Sequence, residues 1–314
     1  MEKLNNNHFY RWKIIFSSSL VMALFLLFSC TERYQFTKLN SMIPELIQQK
    51  KYAEAEAKAK KMLDLSVDKY GENDHSVAVS LKNLADIYSI QSRYAEAEQL
   101  YVQVLVTEAK SSERRPSFVA EVLYNLGILY QGEGRFTEAW PLLNKSLYIW
   151  EKVLGPDHLN VAKSLNRLAF NYKNQKRYDK AEPLYLMAID IFKRSKGLDN
   201  MELAHSLNNL ANLYGEQGRY DEAEPLYNRS IAIIEKNTGK DSIDVAVALV
   251  NLSNIFRLRG KCLEADKLYN RSRKIFDKVL GVKTPLRAKA PGNFGMCIKN
   301  MVKNDEEGHM ELSA

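Results

Sequence analysis

The sequence is poor in cysteine and has no long run of like charges. Three cysteines in 314 residues are too few for a disulfide framework. The net charge of +7 is spread along the chain, with no run of five or more like charges. A nucleic-acid-binding surface is therefore not indicated. With 46% hydrophobic and 26% charged residues, the composition is that of a folded protein able to bury a long core.

Motifs for catalysis and cofactor binding are also missing. The sequence contains no G-x-S-x-G, no H-E-x-x-H and no phosphate-binding glycine loop. Asp74-His75 and Asp157-His158 lie in separate loops with no nearby cysteine to complete a ligand set. We expect the aspartates to cap these loops. The sequence therefore predicts neither an enzyme nor a metal or cofactor site.

The N-terminal residues have the features of an export signal. Three basic residues precede an apolar run, residues 14–28, which as a helix is about 22 Å long and falls short of the roughly 30 Å hydrocarbon core. The sequence L-F-S-C at residues 27–30 resembles the bacterial lipobox, in which the cysteine is diacylated and becomes the mature N-terminus. That resemblance implies a signal peptide over 1–29, a lipid on Cys30 and export of the rest. An uncleaved membrane anchor is the alternative.

An eight-residue stretch returns at a fixed interval along most of the chain. The sequence R-Y-D-E-A-E-P-L at 219–226 recurs as R-Y-D-K-A-E-P-L at 177–184 and R-Y-A-E-A-E-Q-L at 93–100. Every step is 42 residues, and looser copies begin at residues 51, 135 and 261. A period in this range is typical of stacked-repeat proteins.

Each repeat contains two helical patterns. In the first, Val77, Leu81, Leu84, Ala85 and Tyr88 form one apolar helix face. The second pattern opens at an aromatic residue and has an alanine in every copy, where two helices are expected to cross closely: Ala55, Ala97, Ala139, Ala181, Ala223 and Ala265.

Proline and glycine mark the two ends of the second helix. Prolines at 141, 183 and 225 are predicted in its first turn, where a missing N–H group costs little. Glycines at 71, 155, 197, 239 and 281 predict left-handed C-terminal caps. One repeat has Glu113 at this position, so a distorted connection is expected there.

The pattern L-x-x-L-A-x-x-Y, followed by the alanine column, resembles the tetratricopeptide repeat (TPR). With L-G-P-D-H at 154–158 and S-L-N-N-L-A at 206–211, it is similar to the kinesin-light-chain-like subgroup. The resemblance implies an all-α, right-handed α-solenoid of about six TPR helix pairs plus a C-terminal capping helix, spanning residues 36–303. Residues 30–35 are then a short linker and residues 304–314 a polar tail.

The first helices of such repeats line the concave side of the solenoid. Most polar residues predicted on this face are asparagines, whose amides both donate and accept hydrogen bonds. The resemblance implies that one column, Asn83, Asn125, Asn209 and Asn251, binds the backbone of an extended peptide. Arg167 interrupts this column and, with Lys163 and Lys173, predicts a basic centre suited to an acidic segment. The remaining candidates on the same face are Asn166, Asn208, Asn212 and Asn254.

The functional expectation is a membrane-tethered scaffold in the bacterial cell envelope that binds a protein or extended peptide and needs no cofactor. Three alternatives stay open. The asparagines can instead bridge neighbouring helices; the chain can recruit envelope-assembly machinery through its convex face or anchored end; or it can self-associate. Cys262 and Cys297 occupy apolar columns and predict buried thiols, with a disulfide between them as the alternative.

Overall fold

The computed structural model describes residues 34–113 and 115–280, and all regular secondary structure in these ranges is α-helical. The first helices of the repeats are α1 (34–48), α3 (His75–Ile90), α5 (Pro116–Gly132), α7 (Leu159–Asn174), α9 (Met201–Glu216) and α11 (Ile243–Leu258). The second helices are α2 (Tyr52–Tyr70), α4 (Tyr94–Lys110), α6 (Phe136–Leu154), α8 (Tyr178–Lys196), α10 (Tyr220–Thr238) and α12 (Cys262–Leu280).

These helices belong to two compact units, divided between Gly134 and Arg135. In the first unit, α3 packs against α2 and α4, and α4 packs against α5. In the second unit, each helix from α6 to α12 packs against the next. First helices also contact one another, α3 with α5 and α9 with both α7 and α11. The predicted all-α class and stacking of TPR helix pairs are confirmed. Among the described helices, none combines the length and apolarity needed to cross a bilayer.

The predicted apolar columns form the core of both units. The alanine column is fully buried in all six second helices, because a side chain of one carbon lets the backbones of two crossing helices approach closely. Leucines from the first helices fill the space beside it, and all are buried: Leu81, Leu123, Leu165, Leu207 and Leu249.

The glycines that end the second helices have positive φ, as predicted. At Gly71 and Gly239 φ is 80° and 85°, which favours glycine. However, ψ there is 161° and 160°, so these residues are extended and not left-handed helical. In the repeat with Glu113, α4 has 17 residues where α2 has 19, which confirms an altered connection.

The predicted position of the prolines in the second helices is wrong. Pro225 is the sixth residue of α10, because the helix already begins at Tyr220. The proline column therefore lies in the second turn and not in the first, and each proline there removes one intrahelical hydrogen bond. The first helix, α1, includes Pro44 and continues to residue 48, and it already includes residues 34 and 35, which the sequence assigned to the linker.

The recurrent R-Y-x-E-A-E sequence joins consecutive repeats. The hydroxyl group of Tyr88, near the end of α3, donates to Glu56 Oε1 of α2 at 3.1 Å. Arg93, just before α4, donates to Glu56 Oε2 at 3.0 Å, and its guanidinium lies 3.7 Å from the Tyr88 ring centroid. Tyr214 and Arg219 hold Glu182 in the same way, at 2.9 and 2.7 Å. One glutamate thus ties together three consecutive helical segments.

Several predictions lie outside the described residues. These are the signal peptide and Cys30, the capping helix, the polar tail and the pairing of Cys297. Cys262, at the start of α12, is buried and disulfide-bonded. The expectation of a free buried thiol at Cys262 is therefore wrong.

Candidate functional site

A groove of about 430 Å³ runs along the first helices of the first unit. Asn83, Asp86 and Lys82 of α3, with Asn125 of α5, supply its polar groups. Its apolar lining comes mainly from three first helices, as Ile43, Ile47, Ile90 and Ile128, and Tyr101 of α4 also lines it. The sequence correctly assigned Asn83 and Asn125 to one shared face. We call this surface the inner groove.

The amides of the inner groove bridge neighbouring first helices. Asn83 Nδ2 donates to Asn40 Oδ1 of α1 at 2.7 Å. Asn125 Nδ2 donates to Asp86 Oδ1 of α3 at 3.2 Å. Asp86 also accepts from the Tyr101 hydroxyl of α4. Each bridge engages the amide nitrogen, and the Oδ1 atoms of Asn83 and Asn125 accept no hydrogen bond within the described part of the chain. Helix bridging and ligand binding are therefore compatible at these residues.

Lys82 does not make the inner groove basic. Its ammonium group lies 2.9 Å from Asp86 and 2.7 Å from Glu121. Burial lowers the pKa of Lys82, but the two carboxylates more than compensate and raise it above its usual value. The lysine is charged and is balanced by two acids.

The second unit presents the other predicted residues on α7, α9 and α11. Asn251 Nδ2 donates to Asn208 Oδ1 at 3.1 Å, and Asn212 accepts from the Tyr227 hydroxyl. Lys163 and His205 are exposed on this face. The remaining candidates, Asn166, Arg167, Asn209 and Asn254, are partly buried.

Lys173 was predicted to add positive charge near Arg167 and Lys163, and this is wrong. Its side chain is buried and forms an ion pair with Glu216 of α9. With Lys173 held in this ion pair, Lys163 and Arg167 remain as the cations that the sequence placed on this face.

A second periodic relation was missed by the sequence analysis. The hydroxyl groups of Tyr101 and Tyr227 donate to residues 15 positions earlier, Asp86 and Asn212. The corresponding residue for Tyr185 is Phe170, which offers no acceptor. The Tyr185 hydroxyl is buried without a hydrogen-bond partner among the described residues, and burial raises its pKa. Comparing the tyrosine position with the position 15 residues earlier in each repeat would have shown that Tyr185 has no acceptor.

The loop histidines have structural contacts. Asp74 caps α3 by accepting from Ser76 N at 2.7 Å, as expected. In the later loop the cap is His158, which accepts from Asn160 N at 3.1 Å, whereas Asp157 pairs with Arg194 at 2.8 Å. Within residues 34–113 and 115–280, no group of three or more His, Cys, Asp or Glu side chains could hold a metal ion.

The family model of the tetratricopeptide repeat matches residues 46–105, 118–194, 160–236 and 202–278, more than half of the chain. The chain belongs to the tetratricopeptide repeat family. TPR proteins generally mediate protein–protein interaction, and the fold is typically a non-enzymatic scaffold that binds proteins or peptides. No curated protein matches this TPR sequence.

Solved structures share the TPR fold. BtubC (BKLC) from P. vanneervenii has a TM-score of 0.62 at 22% identity, covering 74% of this chain and 93% of its own. A Podosopora anserina protein described as a kinesin light chain with nearly identical TPR-like repeats has a TM-score of 0.54 at 25% identity, covering 65% of this chain and 97% of its own. A Rap protein complexed with Competence and Sporulation Factor has a TM-score of 0.56 at 14% identity, covering 77% of this chain and 76% of its own. The kinesin-light-chain-like character inferred from the motifs agrees with these neighbours.

Proposed function

We propose that this TPR chain is an exported, lipid-anchored scaffold that binds an extended peptide segment of a partner protein along its first helices. The observation that carries the proposal is the inner groove, where amides and aliphatic side chains share one surface. An amide that can both donate and accept matches a peptide backbone, while an aliphatic wall matches apolar side chains.

The inner groove favours an apolar peptide segment. Asn83 and Asn125 are held by bonds from their nitrogen atoms, which leaves their Oδ1 atoms to accept peptide N–H groups. Ile90 is 48% exposed beside them. Since the Lys82 ammonium is balanced by Asp86 and Glu121, net positive charge is not available there to select an acidic ligand.

The first helices of the second unit favour a different segment. Lys163 is exposed and Arg167 is partly buried on the same helix, α7. Asn208, Asn209 and Asn251 lie on the two helices that follow. This face therefore suits an acidic stretch of the partner, whose backbone would be bound by the amides and whose carboxylates would meet the two cations.

Replacing Asn209 and Asn251 by alanine is expected to weaken partner capture at least tenfold without unfolding the chain. Loss of hydrogen bonds worth about 1.4 kcal/mol in total corresponds to that factor. A photo-crosslinking amino acid at exposed His205 would trap the partner in cells, and the yield of the crosslinked product would be measured. Circular dichroism would show whether the helices are retained.

The matched control is Asn144→Ala with Asn228→Ala, which removes two exposed amides from the second helices α6 and α10. Crosslinking should be unchanged in this variant. Equal yields from the wild type and the Asn209/Asn251 variant would show that these amides do not bind the partner.

The anchoring part of the proposal rests on the lipobox-like sequence at 27–30. The disulfide at Cys262 also suits an exported protein, because disulfides persist in oxidising compartments. The intact mass of protein purified from bacterial membranes should equal residues 30–314 plus a diacylglyceryl group. Cys30→Ala should abolish the modification, and Cys297→Ala should not. A mass equal to the uncleaved 314-residue chain would contradict lipidation.

A further inference from the structure

A second groove, of about 760 Å³, lies between the second helices α2 and α4. Its floor is formed by Val77 and Leu81 of α3, both buried. Leu63 and Val67 of α2 face Leu100 of α4 across this floor. Because its walls are second helices and those of the inner groove are first helices, the two are different surfaces of the first unit. We call this one the outer groove.

One wall of the outer groove is acidic. Asp64 and Asp68 of α2 and Glu72 after the helix line it, and all three are exposed. None of these carboxylates forms an ion pair or hydrogen bond within the described part of the chain. Among the described residues that line the groove, Lys110 is the only cation. The outer groove is therefore negative on a chain whose net charge is +7.

The opposite wall of the outer groove has exposed apolar side chains. Val106 of α4 lines the outer groove and is 47% exposed, and Val102, one turn earlier, is 45% exposed. In the other repeats the position of Val106 is charged at Asp64, Asp190 and Lys274 and holds Tyr148 and Ala232. The exposed valine next to the apolar floor extends the apolar surface of the outer groove, as an interaction surface would require.

We propose that the outer groove binds an amphipathic helix of a partner protein whose polar face carries Lys or Arg. Aliphatic residues of that helix would pack on Leu63, Val67 and Val106, and its cations would meet Asp64 and Asp68. Asp64 and Asp68 are four residues apart on α2, about 6 Å along its axis. Basic residues at the same spacing on a helix lying alongside α2 would be in register with them. This site acts independently of the inner groove.

The test uses two synthetic probe peptides of equal length in which leucines repeat at helical spacing. The polar positions are all lysine in one peptide and all glutamate in the other. We expect the Leu/Lys peptide to bind the full chain, measured by fluorescence anisotropy, and the Leu/Glu peptide not to bind. Asp64→Lys with Asp68→Lys should weaken Leu/Lys binding at least tenfold, because like charges then face each other. Val106→Gln should also weaken it, which separates apolar packing from simple charge attraction.

Two controls locate the bound peptide. Glu45→Lys with Glu151→Lys makes the same change in net charge at exposed carboxylates that do not line the outer groove, and affinity should stay within about twofold at physiological salt. Asn83→Ala with Asn125→Ala alters only the inner groove and should also leave affinity unchanged. Equal binding by the wild type and the Asp64/Asp68 variant would overturn the proposal. A loss of binding caused by the inner-groove variant would overturn it as well, because the peptide would then occupy that groove.

Discussion

Replacing His75 by alanine is expected to lower the free energy of unfolding by about 3 kcal/mol. His75, the first residue of α3, forms a hydrogen bond with Glu108 Oε1 of α4. The Glu108 side chain is only 2% exposed, and its Oε2 atom is buried without a partner among the described residues. The alanine variant would therefore leave a buried carboxylate with no compensating donor. The histidine ring also packs edge-on against Phe118 at 4.8 Å, so some packing is lost too.

Urea denaturation followed by circular dichroism would measure this change. The double variant His75→Ala with Glu108→Met should recover most of the lost stability, because the buried carboxyl group that lost its partner is then absent. His158→Ala is the control for removing a loop histidine: it deletes a helix cap and should cost only about 1 kcal/mol. A His75 variant no less stable than the His158 variant would show that the pair with Glu108 contributes little.

Most of the fold was predictable because the repeat presents each structural position several times. The alanine at position 55 recurs in every later repeat through Ala265, and all copies are fully buried. A single sequence with repeats thus contains its own comparison of equivalent positions. Helix starts were correct for the same reason, since the aromatic column beginning at Tyr52 opens successive second helices.

The errors arose where a residue's partner lies on another repeat. Lys173 looked like a groove cation because its own helix places it near that face, but Glu216 of the next repeat neutralises it. The proline error has a different origin, because the helix start at Tyr220 was correct. Pro225 is the sixth residue from that start and so lies in the second turn at 3.6 residues per turn.

The sequence predicted which helix face carries the candidate site, but it did not predict the hydrogen bonds between the side chains of that face. Periodicity assigned Asn83 and Asn251 to corresponding positions on first helices, which the structure bears out. It could not indicate that Asn83 donates to Asn40 and Asn251 to Asn208, because those bonds depend on side-chain rotamers and on the spacing between stacked helices. The outer groove went unnoticed because only the first helices were considered as a binding face, whereas the second helices α2 and α4 form its walls.

The inner groove and the outer groove of the first unit suit two different kinds of ligand. The inner groove offers amides to a peptide backbone, a mode that tolerates many side chains. The outer groove offers an acidic wall formed by Asp64 and Asp68 and an apolar wall at Val106, a mode that selects side-chain charge. A scaffold with both could hold one partner at each surface.

Tyr185→Phe and Tyr227→Phe remove the same hydroxyl group from equivalent positions and are expected to have opposite effects. The Tyr185 hydroxyl is buried with no partner among the described residues, so deleting it should stabilise the chain by about 1 kcal/mol. The Tyr227 hydroxyl donates to Asn212, and deleting it should destabilise the chain by about 1 kcal/mol. Urea denaturation of both variants would measure the difference.

Phe170 provides the control, because it lies 15 residues before Tyr185, just as the acceptor Asn212 lies 15 residues before Tyr227. Phe170→Asn should supply the missing acceptor, at the cost of the packing between Phe170 and Phe136, whose ring centroids are 6.4 Å apart. In that background Tyr185→Phe should change from stabilising to destabilising, and the double-mutant cycle removes the packing cost from the comparison. If Tyr185→Phe still stabilises the Phe170→Asn variant, the residue at position 170 does not control the Tyr185 hydroxyl. If Tyr185→Phe destabilises that variant, an acceptor 15 residues before each buried tyrosine determines whether its hydroxyl group stabilises the repeat.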